Sequence, residues 1–189
     1  MKKTENKLDF SDELLVSTFR ATGDERHFEE LYDRYIKKVE NKCYALLKDR
    51  ALSAEFAREI MGKVFEKLTT FKGNSSFSTW LYSITYNYCI DYLRFRKKMH
   101  YPNWNSENEL PEIVDEEYED VSDMSYQQLL DILEIIHPEE KAMILMKYRD
   151  DLPMRLIADA LRISEGAAKM RLKRAKARVL FHYKKKYAG

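Results

Sequence analysis

The sequence predicts an all-α protein built as two small helical domains joined by an acidic linker. Three observations predict it: helical apolar spacing through residues 8–100, nine acids without a Lys or Arg between Trp104 and Ser125, and two short amphipathic segments over residues 152–179, the second strongly basic. Strand alternation and hairpin turn pairs are absent. With 189 residues the chain can hold one domain or two small ones, and 44% apolar content is enough for real cores.

The first domain is expected over residues 8–100. Asp12 to Arg20 reads as a helix ending near Gly23, and His27 to Leu47 as a second with Phe28, Leu31, Tyr32, Tyr35 and Val39 on one face. Ser53 is the expected cap of a third helix running to about Phe71. The turn Lys72-Gly73-Asn74-Ser75-Ser76 follows, then a long helix from Phe77 to about Arg96. Roughly 20 residues make that helix about 30 Å long. Its Phe77, Leu81, Thr85, Tyr88 and Tyr92 recur at core spacing, while Asn87, Asp91 and Arg94 share another face.

Residues 101–124 are the expected linker. Charge repulsion among the nine acids, with Pro102 and Pro111, favours an extended spacer. The stretch lacks the ligand spacing and turn glycine of a calcium loop. Its negative charge also suits a basic nucleic-acid channel of a larger partner.

The second domain is expected over residues 125–187. Leu156, Ile157, Ala160 and Leu161 form one short apolar face, Arg162-Ile163-Ser164 breaks it, and Ser164 is a good N-cap with Glu165 complementing the helix dipole. Along the next helix Ala168, Leu172, Ala175 and Val179 make a narrow stripe of small side chains, so two helices would cross closely there. The layout is a helix-turn-helix. From Arg162 onward there are ten Lys or Arg and one acid, a field that attracts phosphate. A recognition helix presents its N-terminal side chains to base edges. By position Glu165, Lys169 and Met170 read bases, Lys173, Arg174 and Arg178 meet phosphates, and Arg171 lies on the same basic helix.

The net charge of +1 conceals this polarity. Cys43 and Cys89 are too few for a disulfide framework or zinc site and read as core packing. No signal-peptide core or run of 18 apolar residues occurs, so a cytoplasmic protein without membrane insertion is expected. No metal, cofactor or small-molecule substrate is expected: no Gly-rich phosphate loop, metal-binding acid pair or activated nucleophile is visible.

Eight aromatics lie between Phe71 and Phe95, and Arg94, Arg96, Lys97 and Lys98 close that segment. Most aromatics at helical spacing are core. The polar loop, Asn87 and the basic end nevertheless suit a surface that holds unstacked bases and neutralises a phosphate backbone.

Two segments then resemble a known family. FKGNSSFSTWLYSITYNYCIDYLRFRKK is similar to region 2 of the extracytoplasmic-function sigma factors, and HPEEKAMILMKYRDDLPMRLIADALRISEGAAKMRLKRAKARV to their region 4. The order agrees, with the acidic linker where larger sigma factors carry a further domain. His137-Pro138-Glu139-Glu140 stands where the family usually has Leu-Pro followed by charged residues, a pattern that suits a helix start.

The resemblance implies a promoter-specificity subunit with no catalytic residue of its own. Its region 2 would bind the clamp helices of the largest subunit of core RNA polymerase and capture melted minus-10 DNA, and its region 4 would read the minus-35 duplex and lean on the flap of the second-largest subunit. Lys72, Gly73, Asn74, Ser75, Ser76 and Asn87 would pocket a flipped base, and Arg94, Arg96, Lys97 and Lys98 would contact backbone. The family's clamp-binding helix usually reads close to DLVQEVF. Here the matching stretch is Glu59-Ile60-Met61-Gly62-Lys63-Val64-Phe65, so Glu59, Met61, Gly62, Lys63 and Phe65 are the implied clamp residues, with Gly62 and Lys63 departing from the pattern. Many family members are held by an anti-sigma factor, which is therefore a further candidate partner. A free-standing helix-turn-helix regulator is the alternative. It leaves the aromatic segment unexplained and would normally dimerise.

Overall fold

The computed structural model describes residues 10–100 and 124–187, and all regular structure among them is helical. The chain divides into two compact units, residues 1–89 and 90–189. The acidic segment assigned to the linker lies almost wholly outside the described residues.

In the first unit, α1 (Asp12–Thr22) begins at Ser11, whose Oγ accepts from Leu14 N at 3.2 Å, and stops at Gly23, whose φ of +69° suits a residue without Cβ. Helix α2 (Arg26–Leu47) presents Phe28, Leu31, Tyr35, Val39, Cys43 and Leu46 inward, while Tyr32 is only half-buried. Helix α3 (Arg50–Leu68) starts one turn earlier than the sequence suggested. Asp49 caps it, accepting from Leu52 N at 3.0 Å, because an aspartate is as good a cap as Ser53 and lengthens the helix. Ser53 is buried instead and donates to the Asp49 carbonyl at 2.5 Å.

Helix α4 (Phe77–His100) opens in this unit at Ser76, whose Oγ accepts from Thr79 N at 3.2 Å, and its residues from Ile90 onward belong to the second unit. Its buried face is wider than the expected stripe: Phe77, Leu81 and Thr85 are joined by Tyr86, Cys89 and Ile90, and Tyr88 and Tyr92 move to the half-buried margin. Helices α2 and the first turns of α4 run in parallel register. The Tyr35 ring lies 5.3 Å from Phe77 and 6.2 Å from Tyr82, and Lys42 Nζ sits 3.8 Å from the Tyr82 centroid. One heptad beyond Tyr82, Cys89 meets Cys43. Both cysteines are core residues, as expected, but they touch: the hydrogen bond with Cys43, together with burial, pushes the Cys89 thiol up.

In the second unit, α5 (Tyr126–Ile135) carries a reciprocal capping box between Ser125 and Gln128. Helix α6 (Pro138–Ile144) has proline in its first turn and His137 Nδ1 accepting from Glu139 N at 3.2 Å. It continues as one π-helical turn, Leu145–Arg149. Helix α7 (Met154–Leu161) ends at Arg162, which takes a left-handed φ of 56°, and α8 (Glu165–Tyr187) follows with Ala167 N donating to Ser164 Oγ at 3.2 Å. The core gathers Ile132, Leu133, Met143, Met146, Leu152, Ile157 and Leu161 around the α8 stripe. Ala168 and Ala175 are fully buried, so the absence of long side chains lets α6 and α7 approach the α8 backbone.

Candidate nucleic-acid interface

Helix α8 has two faces, and the packed one selects the other. With Ala168, Ala175 and Val179 buried and Leu172 at the margin, Glu165, Gly166, Lys169, Met170, Arg174 and Lys176 are left exposed. Among the expected base readers, Lys169 Nζ pairs with Glu165 one turn back at 3.0 Å, and Met170 is 53% exposed. Arg174 is exposed and carries no carboxylate partner among the described residues. Lys173 is only half-buried.

Two basic side chains behave otherwise. Arg178 turns inward and ion-pairs with the buried Glu140 at 3.1 Å, so it holds α8 to α6 rather than standing free for phosphate. Sequence reasoning placed it on the DNA because its charge suited that face, whereas a stripe of alanines and one valine leaves room for a guanidinium beside it. Arg171 Nη1 lies 3.4 Å from Glu139 Oε2. Within the same second unit, Arg94 Nε donates to Glu139 Oε1 at 2.8 Å and Arg94 Nη2 to the Leu161 carbonyl at 3.1 Å. Arg94 can therefore meet a phosphate only by exchanging one anion for another.

In the first unit, the loop before α4 is open. Lys72, Gly73, Asn74 and Ser76 are exposed and Ser75 is half-buried, with Gly73 at φ +70° turning the chain. The loop is pinned at both ends: the Phe71 ring lies 4.8 Å from Trp80, and Ser76 donates to Thr79 Oγ1 at 2.8 Å. Asn87 is half-buried, and its Oδ1 is buried without a hydrogen-bond donor. Buried carbonyl oxygens nearly always have one. In the part of α4 that belongs to the second unit, Arg96 is exposed; of Lys97 and Lys98 only the helical backbone is described.

The implied clamp residues separate into surface and core. Glu59, Gly62 and Lys63 are exposed on α3. Glu59 accepts from the Tyr88 hydroxyl, and Lys63 Nζ lies 5.6 Å from the Tyr88 ring. Phe65 packs on Phe28 at 4.9 Å and Phe19 at 5.6 Å and is half-buried. Met61 is fully buried, so it belongs to the core; Ile60, Met61, Val64 and Leu68 form the inward helical face, and the sequence match alone did not separate the two faces.

Sequence reasoning missed Glu140 and Lys141, two charged side chains less than a tenth exposed, of which Lys141 pairs with Glu134 at 2.9 Å. Their position one turn into a Pro-started helix points them back toward the bundle. Among the described residues no group of three or more His, Cys, Asp or Glu could hold a metal ion, and no helix is long and apolar enough to cross a membrane.

Residues 31–99 match the family pattern of Sigma-70 region 2, and residues 122–179 that of Sigma-70, region 4. The chain is 27% identical over 169 residues to the ECF RNA polymerase sigma factor SigW of Bacillus subtilis (strain 168), covering 82% of this chain and 87% of that one. It is 24% identical over 155 residues to SigX of the same organism, covering 77% of each. Among solved structures, CnrH in complex with the cytosolic domain of CnrY superposes with a TM-score of 0.61 at 15% identity, covering 93% of this chain and 98% of that one. The sigma factor RpoE from Bartonella quintana, in complex with the anti-sigma factor NepR, gives 0.55 at 16% identity over 80% and 93%.

Proposed function

The chain belongs to the sigma-70 family, as a promoter-specificity subunit of RNA polymerase of the extracytoplasmic-function type, and from that premise we propose how its residues divide the work. Residues 125–187 anchor the upstream element as duplex: Glu165, Lys169 and Met170 face base edges, and Lys173 and Arg174 face phosphates. Residues 8–100 open and hold the downstream element, with the loop Lys72–Ser76 and Asn87 receiving a flipped base and Arg96 beside the backbone. The observation that carries this reading is the two-faced α8, which buries alanines and leaves Lys169, Met170 and Arg174 outward.

Base capture makes opening depend on sequence, because unpairing costs a few kcal/mol and the captured base returns part of it. The orphaned Asn87 acceptor supports the pocket, since a base N–H satisfies it. Glu59, Lys63 and Phe65 supply the surface for the clamp helices of the largest subunit, while the second-largest subunit's flap meets residues 125–187. The work is done in the cytoplasm, where polymerase is, and the nucleotide chemistry is the polymerase's. The complex of RpoE with the anti-sigma factor NepR supports an anti-sigma factor as a further partner.

The test is transcription in vitro with core polymerase. Core plus this protein should initiate at promoters that core alone ignores. If it initiates at none, while the protein alone footprints a palindrome, an operator-binding regulator replaces this reading.

A further inference from the structure

The outward face of α8 is cationic, and one of its side chains does not share that chemistry. Met170 is 53% exposed beside Lys169 and Arg174, both exposed, yet a thioether has no N–H or O–H to donate and is only a weak acceptor. It stands in the second turn of the helix that Ser164 caps. Gly166, one turn earlier on the same side, adds no side chain, and a Cβ built there meets no atom within 4 Å. Helical side chains lean toward the N-terminus of their helix, so Met170 leans toward open space. Along one edge of that space Lys169 and Glu165 hold each other at 3.0 Å.

The occupant must suit an isolated apolar group in a basic field. Phe181, another exposed large apolar side chain of α8, comes three turns later, roughly 16 Å along the axis, so the two do not make one patch for a protein partner. A protein groove receiving Met170 would also have to desolvate Lys169 and Arg174, which is costly. The major groove of DNA meets both needs. It offers phosphates to the cations, and among its base edges the C5-methyl of thymine is an apolar projection.

We propose that Met170 selects a thymine in the upstream element, its thioether and terminal methyl packing on the C5-methyl in the major groove. This rests on the reading of α8 as the duplex-recognition helix, and it names what one of the base readers recognises. Uracil pairs with adenine through the same donors and acceptors and lacks only that methyl, so replacing thymine by uracil isolates the contact.

The experiment uses holoenzyme assembled from core polymerase and the full chain, on a promoter that it selects. Each thymine of the upstream element is replaced in turn by uracil, and binding of wild type and variants is measured at several salt concentrations. Thermal melts of the free chains check that changing this exposed residue leaves the fold intact. One replacement should weaken wild-type binding about fourfold, as loss of one buried methyl group predicts. Met170→Ala should bind the thymine duplex about fourfold more weakly and the two duplexes alike, with an unchanged salt slope because no phosphate contact is lost. Met170→Leu, apolar and similar in volume, should still prefer thymine. Discrimination that persists in Met170→Ala overturns the proposal. So does an upstream element whose base pairs matter to wild type while none of its thymine methyls does. If no base pair of the upstream duplex matters, the reading of α8 fails and this inference with it.

Discussion

Arg178 and Glu140 form an ion pair, Nε to Oε1 3.1 Å, with 26% and 9% of their side chains exposed. The contact joins the middle of α8 to the first turn of α6. It divides the basic residues of α8 between two roles. A guanidinium committed to a buried carboxylate stabilises the fold, and an exposed one such as Arg174 is the kind proposed for DNA.

Arg178→Ala should therefore lower unfolding stability by roughly 2 kcal/mol, less than the ~3–5 kcal/mol of a fully buried pair because part of Arg178 remains hydrated. Arg174→Ala should leave stability unchanged, weaken binding to all sequences alike and reduce the salt slope by about 1. Urea titrations and duplex binding at several salt concentrations check both. A stable Arg178→Ala protein with a flattened salt slope would return Arg178 to the DNA.

Asn87→Ala should impair promoter opening while sparing minus-35 duplex contacts. Permanganate reactivity reads the first and footprinting the second. Equal losses at both steps would mean that Asn87 serves the fold rather than the pocket.

Gly62 sits mid-helix on the exposed face of α3, and a Cβ built there meets no atom within 4 Å. The chain itself thus gives no reason for glycine. Gly62→Ala should stabilise the free protein by about 0.5–1 kcal/mol through helix propensity. A concurrent fall in affinity for core polymerase would show that the partner's backbone passes close to Gly62; unchanged affinity would leave the residue without a role in the clamp contact.

The Glu59 carboxylate, which accepts from the Tyr88 hydroxyl, together with burial, pushes Tyr88 up to about 12. The phenol donates only when neutral, so its contribution is complete below the unfolded value of about 10 and is lost as pH rises through about 12. Glu59→Gln should bring the Tyr88 titration, followed by NMR of its ring carbons, back toward the ordinary tyrosine range. No change would mean that burial alone sets it.

The helical class, the two-part organisation and the capped turn at Ser164 were legible in the sequence because each depends on local rules: apolar period, cap chemistry and charge runs. Tyr88 and Tyr92 were misplaced for a related reason. One stripe of i, i+4 steps approximates a helix face, but α4 is packed across a broader arc, and only its neighbours show that Tyr86, Cys89 and Ile90 fill it.

By itself the sequence singled out the residues proposed for DNA, since cations, a polar glycine loop and an aromatic-rich helix are properties of residue type and spacing. Tertiary structure decided which of them are exposed and which are buried or paired. Met61 lies in the core, Arg178 on Glu140, and Arg94 and Arg171 on Glu139, while Arg174 and Phe95 face water. The physical reason is that a side chain's partners come from elements distant in the chain. The helix that carries a charge sets its direction, and only the packing of another helix supplies the carboxylate that claims it.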